Sequence, residues 1–384
     1  MKKKLFIQIL GSVSYALTQW LIIFYITRYI GVDQAGLYLY FLSIFTPLSI
    51  LLNYGIRNSI ATDQNSSFSI EQYKGLSNIS FILYLIVGIL IFLFIKENFI
   101  LFLFVFLFKL NEILMEPING YFIQQGKSFF YAYSKILRLI AGLIIFLLFY
   151  IIFGEKLALI GYLFALYFIY YFYDRKNGKY FLYAKGDYTK IFKIIKLNTP
   201  LVISSFIVAL NTSIPRWLLS ENDMVSLAIF GILMSFSSMA CLPVTSASQI
   251  LFSKKKDFFT NYLTKLNILI VTYIILYFLF TIFMLNWILH FIYKIEITLD
   301  NVTILISSLI GCVQITIVWL NFFLLKERKF NLVLLVSVSS LVVLLISYFI
   351  LINLFTPLNT TILAVLISGV FNVCFNSYLN KVKV

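Results

Sequence analysis

Charged residues, histidine and cysteine are all scarce in this sequence. Only 12% of its 384 residues are charged, and it contains one histidine and three cysteines. Soluble domains carry about 25% charged residues, so a soluble enzyme is excluded. A single His290 cannot form a histidine-cluster metal site. Cys241, Cys312 and Cys374 lie inside apolar runs, with neither metal-ligand spacing nor a disulfide pattern. We therefore expect no metal and no cofactor.

Long apolar stretches make up most of the chain, which is 61% hydrophobic. Stretches of this length are too long for barrel strands, and they match helices of about 20 residues that cross a bilayer. The predicted spans are 5–27, 36–60, 76–95, 99–123, 129–153, 157–173, 197–219, 224–250, 262–289, 301–325, 331–354 and 358–379. The sequence thus predicts an all-α polytopic membrane protein with about twelve transmembrane helices.

The basic residues alternate in their distribution between the spans. Most of the 30 lysines and arginines occupy every second gap, and the remaining gaps hold Arg28, Lys96, Lys156, Arg216 and Lys294. Basic loops are retained in the cytoplasm, so both termini are predicted to be cytoplasmic, in a bacterial inner membrane. The formal charge of +15 does not indicate a nucleic-acid partner, because these charges lie in short loops.

The longest connection, residues 174–196, divides the chain into two predicted six-helix bundles, 1–173 and 197–384. Lysines recur every third residue over 190–196, with isoleucines between them. This spacing predicts an amphipathic helix on the anionic inner leaflet, and a solvated linker is the alternative.

Similar segments follow the first span of each predicted bundle. Arg28 precedes Asp33 and a leucine-aromatic run, and Arg216 precedes Asp223 and a comparable run. Six spans separate the two copies, so they share one orientation. This arrangement predicts parallel repeats, which are found in transporters.

Polar side chains form stripes on several predicted spans. Interhelical packing is the simplest explanation of any one stripe, whereas their recurrence on matching spans of both halves favours a hydrated pathway. The stripes are Gln8, Ser12, Tyr15 and Gln19; Thr46, Asn53 and Arg57; Asn198, Ser205 and Thr212; and Ser238, Thr245 and Gln249.

Charged residues inside two neighbouring spans need partners, because charge is costly in a bilayer. Lys109, Glu112 and Glu116 lie on span 4, and Lys135 and Arg138 lie on span 5. An ion-pair network between these spans is the first interpretation. The alternative is a proton or cation site at Glu112 or Glu116.

Arg57 has no carboxylate on its own span apart from Asp63 near the end. An unpaired guanidinium suits a phosphate or diphosphate, because its planar fork matches pairs of phosphate oxygens. Arg28 and Arg216 stand at matching predicted periplasmic ends. They would either receive the same anion after reorientation or extend toward the membrane interface.

The segments GVDQAGLY at 31–38 and LNYGIRN at 52–58 resemble those of Wzx-type polysaccharide (O-antigen) flippases. These belong to the multidrug/oligosaccharidyl-lipid/polysaccharide (MOP) exporter superfamily. The family's Asp-Arg pair at the end of span 7 is represented here by Pro215 and Arg216, so only the arginine carries over.

The resemblance implies a MATE-like fold in which spans 1, 2, 7 and 8 line a cationic cavity. The implied substrate is an undecaprenyl-diphosphate-linked oligosaccharide for O-antigen, lipopolysaccharide or capsule. The implied partners are membrane lipids, a polysaccharide polymerase and a chain-length regulator. The predicted substrate-binding residues are Arg57, Arg28, Arg216, Asn53, Gln8, Gln19 and Gln249, with Glu112 and Glu116 as ion-coupling candidates. No Walker motif is present, so ATP is not the direct energy source.

Two other functions fit parts of this pattern. A MATE-like exporter of small molecules would share the fold, although the cationic helix faces favour an anionic ligand. A membrane polysaccharide polymerase would need a large periplasmic loop with catalytic residues. The longest outward connection here is about 290–300, so we predict a transporter without catalytic residues.

Overall fold

The computed structural model describes residues 2–63, 67–94, 98–221, 223–251, 256–295, 299–327 and 329–381, and every regular element in these ranges is helical. The helices are α1 Lys2–Tyr25, α2 Val32–Leu52, α3 Ile56–Thr62, α4 Ile70–Phe94, α5 Phe99–Gln124, α6 Ser128–Phe153, α7 Glu155–Ile169, α8 Arg175–Asn177, α9 Lys179–Leu182, α10 Ile191–Ser220, α11 Met224–Leu251, α12 Lys256–Trp287, α13 Asn301–Lys326, α14 Phe330–Leu351 and α15 Pro357–Lys381. Single π-helical turns follow α1, α7 and α12, at Ile26–Ile30, Tyr170–Asp174 and Ile288–Ile292.

Eleven helices among the described residues are long and apolar enough to cross a membrane. A further long helix, α5, has 26 residues, but Lys109, Glu112 and Glu116 interrupt its apolar sequence. The prediction of an all-α polytopic membrane protein is confirmed, and the chain is a multi-pass membrane protein.

The second predicted span, 36–60, is not one helix. α2 ends at Leu52 and α3 begins at Ile56, because Tyr54 (φ 50°) and Gly55 (φ 60°) adopt left-handed backbone conformations between them. Glycine reaches this region without steric cost, which allows the chain to turn here. The prediction that Asn53 and Arg57 lie on one face of a single helix is therefore wrong.

The basic connection does not form a separate surface helix. Residues 191–196 are instead the first turns of α10, which runs unbroken to Ser220. The predicted amphipathic pattern is present, but its apolar side packs against protein. Ile191 and Ile194 are buried in a cluster with Ile60 and Phe181, while Lys193 and the neighbouring lysines stay exposed.

The chain divides into two compact units. Unit 1 comprises Met1–Thr18 with Tyr40–Ala209, and unit 2 comprises Gln19–Leu39 with Leu210–Val384. Helices α1, α2 and α10 each contribute residues to both units. The division into six-helix bundles 1–173 and 197–384 stays a prediction.

Each unit is built around one helix that packs against most of the others. In unit 1 this helix is α5, which contacts α3, α4, α6 and α7. In unit 2 it is α13, which contacts α11, α12, α14 and α15. The central helix of unit 1 is thus the one that carries Lys109, Glu112 and Glu116.

Candidate functional site

Glu112 of α5 has two close partners in unit 1. Its Oε2 lies 2.8 Å from Lys109 Nζ, one turn earlier on the same helix. Its Oε1 accepts a hydrogen bond of 2.6 Å from the Tyr15 hydroxyl of α1. The Lys109 side chain is 7% exposed and that of Glu112 is 25% exposed. This carboxylate therefore neutralises a buried lysine and connects α1 to α5.

Arg57 pairs with Glu116, and its NH1 lies 3.2 Å from Glu116 Oε1. The prediction that Arg57 lacks a carboxylate partner is therefore wrong. The break after α2 starts a new helix, α3, which packs on α5. Gly120 permits the close approach, because a Cβ at this position would lie 2.8 Å from the Arg57 carbonyl oxygen. The side chains remain partly accessible, at 35% for Arg57 and 27% for Glu116.

Asp63 is the carboxylate closest to Arg57 along the sequence, but its hydrogen bonds go to residues that follow it in the chain. It accepts hydrogen bonds from the backbone N–H groups of Ser67 (2.8 Å) and Phe68 (3.1 Å) and from the Tyr73 hydroxyl (3.1 Å). Burial raises the pKa of Asp63, but these donors outweigh burial and hold the pKa below its usual value. Asp63 thus anchors the connection between α3 and α4.

Lys135 of α6 is held by aromatic rings. Its Nζ lies 4.1 Å from the centre of the Tyr131 ring and 5.1 Å from that of Tyr15. Lys135 forms no ion pair with any side chain that the structure describes. Tyr131 also lies beside Arg57, so it connects the two cations.

Arg138 takes part in a separate group. Its NH2 lies 3.0 Å from Asp174 Oδ2, its Nε donates to Ser134 Oγ at 3.2 Å, and its NH1 donates to Asn111 Oδ1. The expected ion pairs between spans 4 and 5 are therefore wrong. Lys135 and Arg138 find partners other than Glu112 and Glu116, and the sequence separation of 36 residues between Arg138 and Asp174 hides that pair.

We call the connected set in unit 1 the charge cluster. It contains three cations and two carboxylates, so with both carboxylates ionised it carries one excess positive charge. The rings of Tyr15 and Tyr131 connect the third cation, Lys135, to the two ion pairs. The members are Tyr15, Arg57, Lys109, Glu112, Glu116, Tyr131 and Lys135.

The other predicted site residues of unit 1 have neutral surroundings. Gln8 donates to the hydroxyl of Ser128. Asn53 is 8% exposed, and its Oδ1 has no hydrogen-bond partner among the described residues. A buried amide oxygen without a partner is energetically costly, so a donor that reached it would be favoured.

The predicted site residues of unit 2 are Gln19, Arg28, Arg216 and Gln249. Arg28 NH1 donates to the carbonyl oxygens of Ile292 (3.0 Å) and Phe291 (3.5 Å). Within the described part of the chain, Arg216 Nε is buried without a partner. Gln19 has polar contacts of its own, and the side chain of Gln249 lies outside the described residues.

Tyr131 is not among the residues predicted for the site. A signal for it exists, because Tyr131 and Lys135 are four residues apart on α6 and therefore share one face of the helix. Tyr15 belongs to the polar stripe predicted on the first span, which is helical as α1. Its contact with Glu112, however, joins residues 97 positions apart. Only the folded chain reveals that contact.

No protein-family model matches this sequence, and no curated protein matches it. Solved structures do match. One, described as protein A, has a TM-score of 0.72 at 15% identity and covers 100% of this chain and 96% of its own. An inward-facing multidrug resistance MATE family transporter of the MOP superfamily has a TM-score of 0.63 at 13% identity and covers 98% and 96%. A mutant of the Vibrio cholerae MATE transporter VcmN has a TM-score of 0.60 at 12% identity and covers 99% and 97%. The chain therefore has the fold of the MATE family transporters of the MOP superfamily.

Proposed function

We propose that this protein is a flippase that moves undecaprenyl-diphosphate-linked oligosaccharide repeat units across the bacterial inner membrane. The observation that carries this proposal is the excess positive charge of the charge cluster, within a transporter fold. A charge inside membrane helices costs about 3 kcal/mol on insertion scales, so an uncompensated cation there favours a functional role. A diphosphate supplies the missing negative charge.

The accessibility of the cluster supports an anionic substrate. The Arg57 and Glu116 side chains are 35% and 27% exposed, so water-sized groups reach them. A guanidinium binds phosphate oxygens in pairs and forms charge-assisted hydrogen bonds. In this proposal Arg57 leaves Glu116 in part and binds the diphosphate.

Neutral polar groups of unit 1 would contact the sugars. The Asn53 Oδ1, which has no partner among the described residues, would accept a hydrogen bond from a sugar hydroxyl. Gln8 would exchange its hydrogen bond to Ser128 for one to a sugar hydroxyl. In unit 2, Arg28 and Arg216 would receive the anion after reorientation, as alternating access requires, and Gln19 and Gln249 would contact sugar hydroxyls. Glu112 and Glu116 stay candidates for ion coupling.

This function implies a particular cellular setting. Both termini would lie in the cytoplasm, as the distribution of lysine and arginine predicts. The transported repeat units would pass to a polysaccharide polymerase and a chain-length regulator, for O-antigen, lipopolysaccharide or capsule.

A small-molecule exporter is the second candidate. The observation that favours it is that the matching structures include a multidrug transporter, the MATE protein DinF-BH, with a TM-score of 0.62 at 13% identity. An exporter of cationic compounds would need an excess of negative charge at its site. The charge cluster has the opposite sign, so we rank this function second.

The test is complementation of a deletion strain that has no other flippase for the same polymer. Wild-type protein should restore surface polysaccharide. Arg57→Ala should not, and it should accumulate lipid-linked repeat units on the cytoplasmic side. Arg57→Lys should restore the polymer only partly, because an ammonium lacks the fork of the guanidinium.

Lys193→Gln is the matched control, because Lys193 is exposed on α10 and lies outside the charge cluster. It should complement fully. Full surface polymer in the deletion strain itself would contradict the flippase assignment. Loss of resistance to cationic compounds in that strain, with normal polymer, would favour the exporter instead.

A further inference from the structure

The three cations of the charge cluster differ in how their charge is compensated. Lys109 is 7% exposed and lies 2.8 Å from Glu112. Arg57 lies 3.2 Å from Glu116. Lys135 has only the rings of Tyr131 and Tyr15, at 4.1 and 5.1 Å. Pairing therefore assigns the excess positive charge of the cluster to Lys135.

Aromatic rings hold an ammonium group without neutralising it. A ring face attracts a cation through its quadrupole, but it has no net charge. The ammonium also has three N–H donors, and none of them bonds to a side chain or carbonyl in the described part of the chain. Lys135 is thus fixed in position and still able to bind an anion.

Lys135 is also accessible, since it is only half-buried. An anion that binds Arg57 must compete with Glu116, whereas an anion that binds Lys135 displaces nothing. Two rings restrict the lysine in advance, so less conformational entropy is lost on binding.

We infer that Lys135, held by the rings of Tyr131 and Tyr15, is the group that first binds a phosphate of the transported lipid diphosphate. This inference rests on the proposed function and assigns its first anion contact. Arg57 becomes the second contact, to the extent that Glu116 releases it. Tyr131 adjoins both cations, so one diphosphate can reach both.

Binding to purified protein in nanodiscs tests this inference without transport. The probes are farnesyl diphosphate, a short lipid diphosphate, and inorganic pyrophosphate, each measured by calorimetric titration. Lys135→Gln should weaken the binding of farnesyl diphosphate about tenfold or more, as expected for loss of a charge-assisted contact. Lys135→Arg should retain binding within a few-fold, and the exposed control Lys193→Gln should match wild type.

Glu116→Gln provides an independent arm that leaves Lys135 in place. It removes the carboxylate that competes for Arg57, so the cluster gains positive charge and farnesyl diphosphate should bind several-fold more tightly. This arm remains informative if Lys135→Gln does not fold, which melting temperatures of all variants would reveal.

The outcomes separate the ligand sources and the two proposals. Equal loss for both probes in Lys135→Gln identifies the phosphate groups as the recognised part, and loss for farnesyl diphosphate alone identifies the lipid diphosphate. Wild-type affinity in a folded Lys135→Gln overturns the inference, and unchanged affinity in Glu116→Gln overturns Arg57 as the second contact. Failed complementation by wild-type protein would overturn the flippase proposal and leave the binding result standing.

Discussion

The two units place polarity in their interiors in different ways. In unit 1, three ion pairs join described side chains: Arg57 with Glu116, Lys109 with Glu112, and Arg138 with Asp174. In unit 2, the one ion pair between described side chains joins Lys329 and Glu327. Both residues lie in the connection between α13 and α14. Among the described side chains, the ion pairs that involve the long helices therefore belong to unit 1.

Unit 2 connects its helices by neutral groups. Asn376 Nδ2 donates to Asn321 Oδ1 at 2.6 Å, and the hydroxyls of Ser340 and Ser368 lie 2.9 Å apart. Trp319 Nε1 donates to Asn267 Oδ1 at 2.9 Å. Such hydrogen bonds stabilise helix contacts at all accessible pH values and offer no charge to a ligand.

The difference indicates a division of roles. A charged ligand competes with one partner of an ion pair for the other, so the contacts of unit 1 can change when such a ligand binds. The neutral contacts of unit 2 do not respond in this way. Arg28, which bonds to backbone carbonyls, and Arg216, whose Nε has no partner in the described residues, are two charged groups of unit 2 that depart from this neutral pattern.

The largest effect is expected from the buried pair of unit 1. Asp174→Asn should lower the free energy of unfolding by about 3–5 kcal/mol, because it leaves Arg138 buried without its counter-charge. The Asp174 side chain is 0% exposed, and that of Arg138 is 13% exposed. Thermal unfolding in detergent measures the loss.

The double variant Asp174→Leu with Arg138→Met serves as the control, because replacing a whole buried pair with apolar groups is often neutral. It should recover most of the lost stability. A small effect of Asp174→Asn alone would mean that the charges of unit 1 are not held more strongly than the neutral contacts of unit 2.

The next largest effect concerns the approach of α3 to α5. Gly120→Ala should cost about 1–3 kcal/mol, because its Cβ would lie 2.8 Å from the Arg57 carbonyl oxygen and 3.0 Å from Arg57 Cα. The same displacement should weaken the pair of Arg57 with Glu116. Thermal unfolding and farnesyl diphosphate binding measured on one sample would show whether stability and site geometry change together.

Much of the fold was predictable because hydropathy and helix length are local properties. The positions of the long helices follow from apolar runs, and the presence of charges within the apolar sequence of α5 predicts that they have partners. The turn at Asn53–Gly55 lies inside the predicted span 36–60, although Asn53 and Gly55 are residue types that favour turns. Only the left-handed backbone of Tyr54 and Gly55 separates α2 from α3.

The partners within the site were not predictable, because they join distant positions. Arg57 and Glu116 are 59 residues apart, and Tyr15 and Glu112 are 97 apart. A helical wheel shows which residues share a face of one helix, but it gives no information about the neighbouring helix. For this reason the sequence alone predicts an unpaired Arg57 and gives no indication that Lys135 carries the excess charge.

A moderate effect is expected from the neutral contact of unit 2. Asn376→Leu should cost about 1 kcal/mol, the usual scale of an interhelical hydrogen bond in a membrane, and it leaves Asn321 without this donor. Asn376→Leu combined with Asn321→Leu should recover part of the loss. Thermal unfolding alongside Asp174→Asn compares the two units directly, and equal losses would contradict the contrast between them.

The smallest effect lies outside the membrane helices, where the units should behave alike. Asp223, before α11 in unit 2, accepts bonds of 2.9 Å from the backbone N–H groups of Val225 and Ser226, as Asp63 does from Ser67 and Phe68 in unit 1. In both carboxylates, burial raises the pKa, but the donated hydrogen bonds outweigh burial and the pKa is lowered.

A lowered pKa in the folded state means that the ionised carboxylate stabilises the fold at pH values above the carboxylate's pKa in the unfolded chain, about 3.9. This stabilisation disappears as the pH falls through the pKa of the folded state. Asp63→Asn and Asp223→Asn should therefore each cost about 1 kcal/mol or less near neutral pH, and the difference from wild type should shrink below about pH 4. Melting temperatures across that range test both variants, and a difference that persists in acid would mean that these carboxylates do not act through their charge.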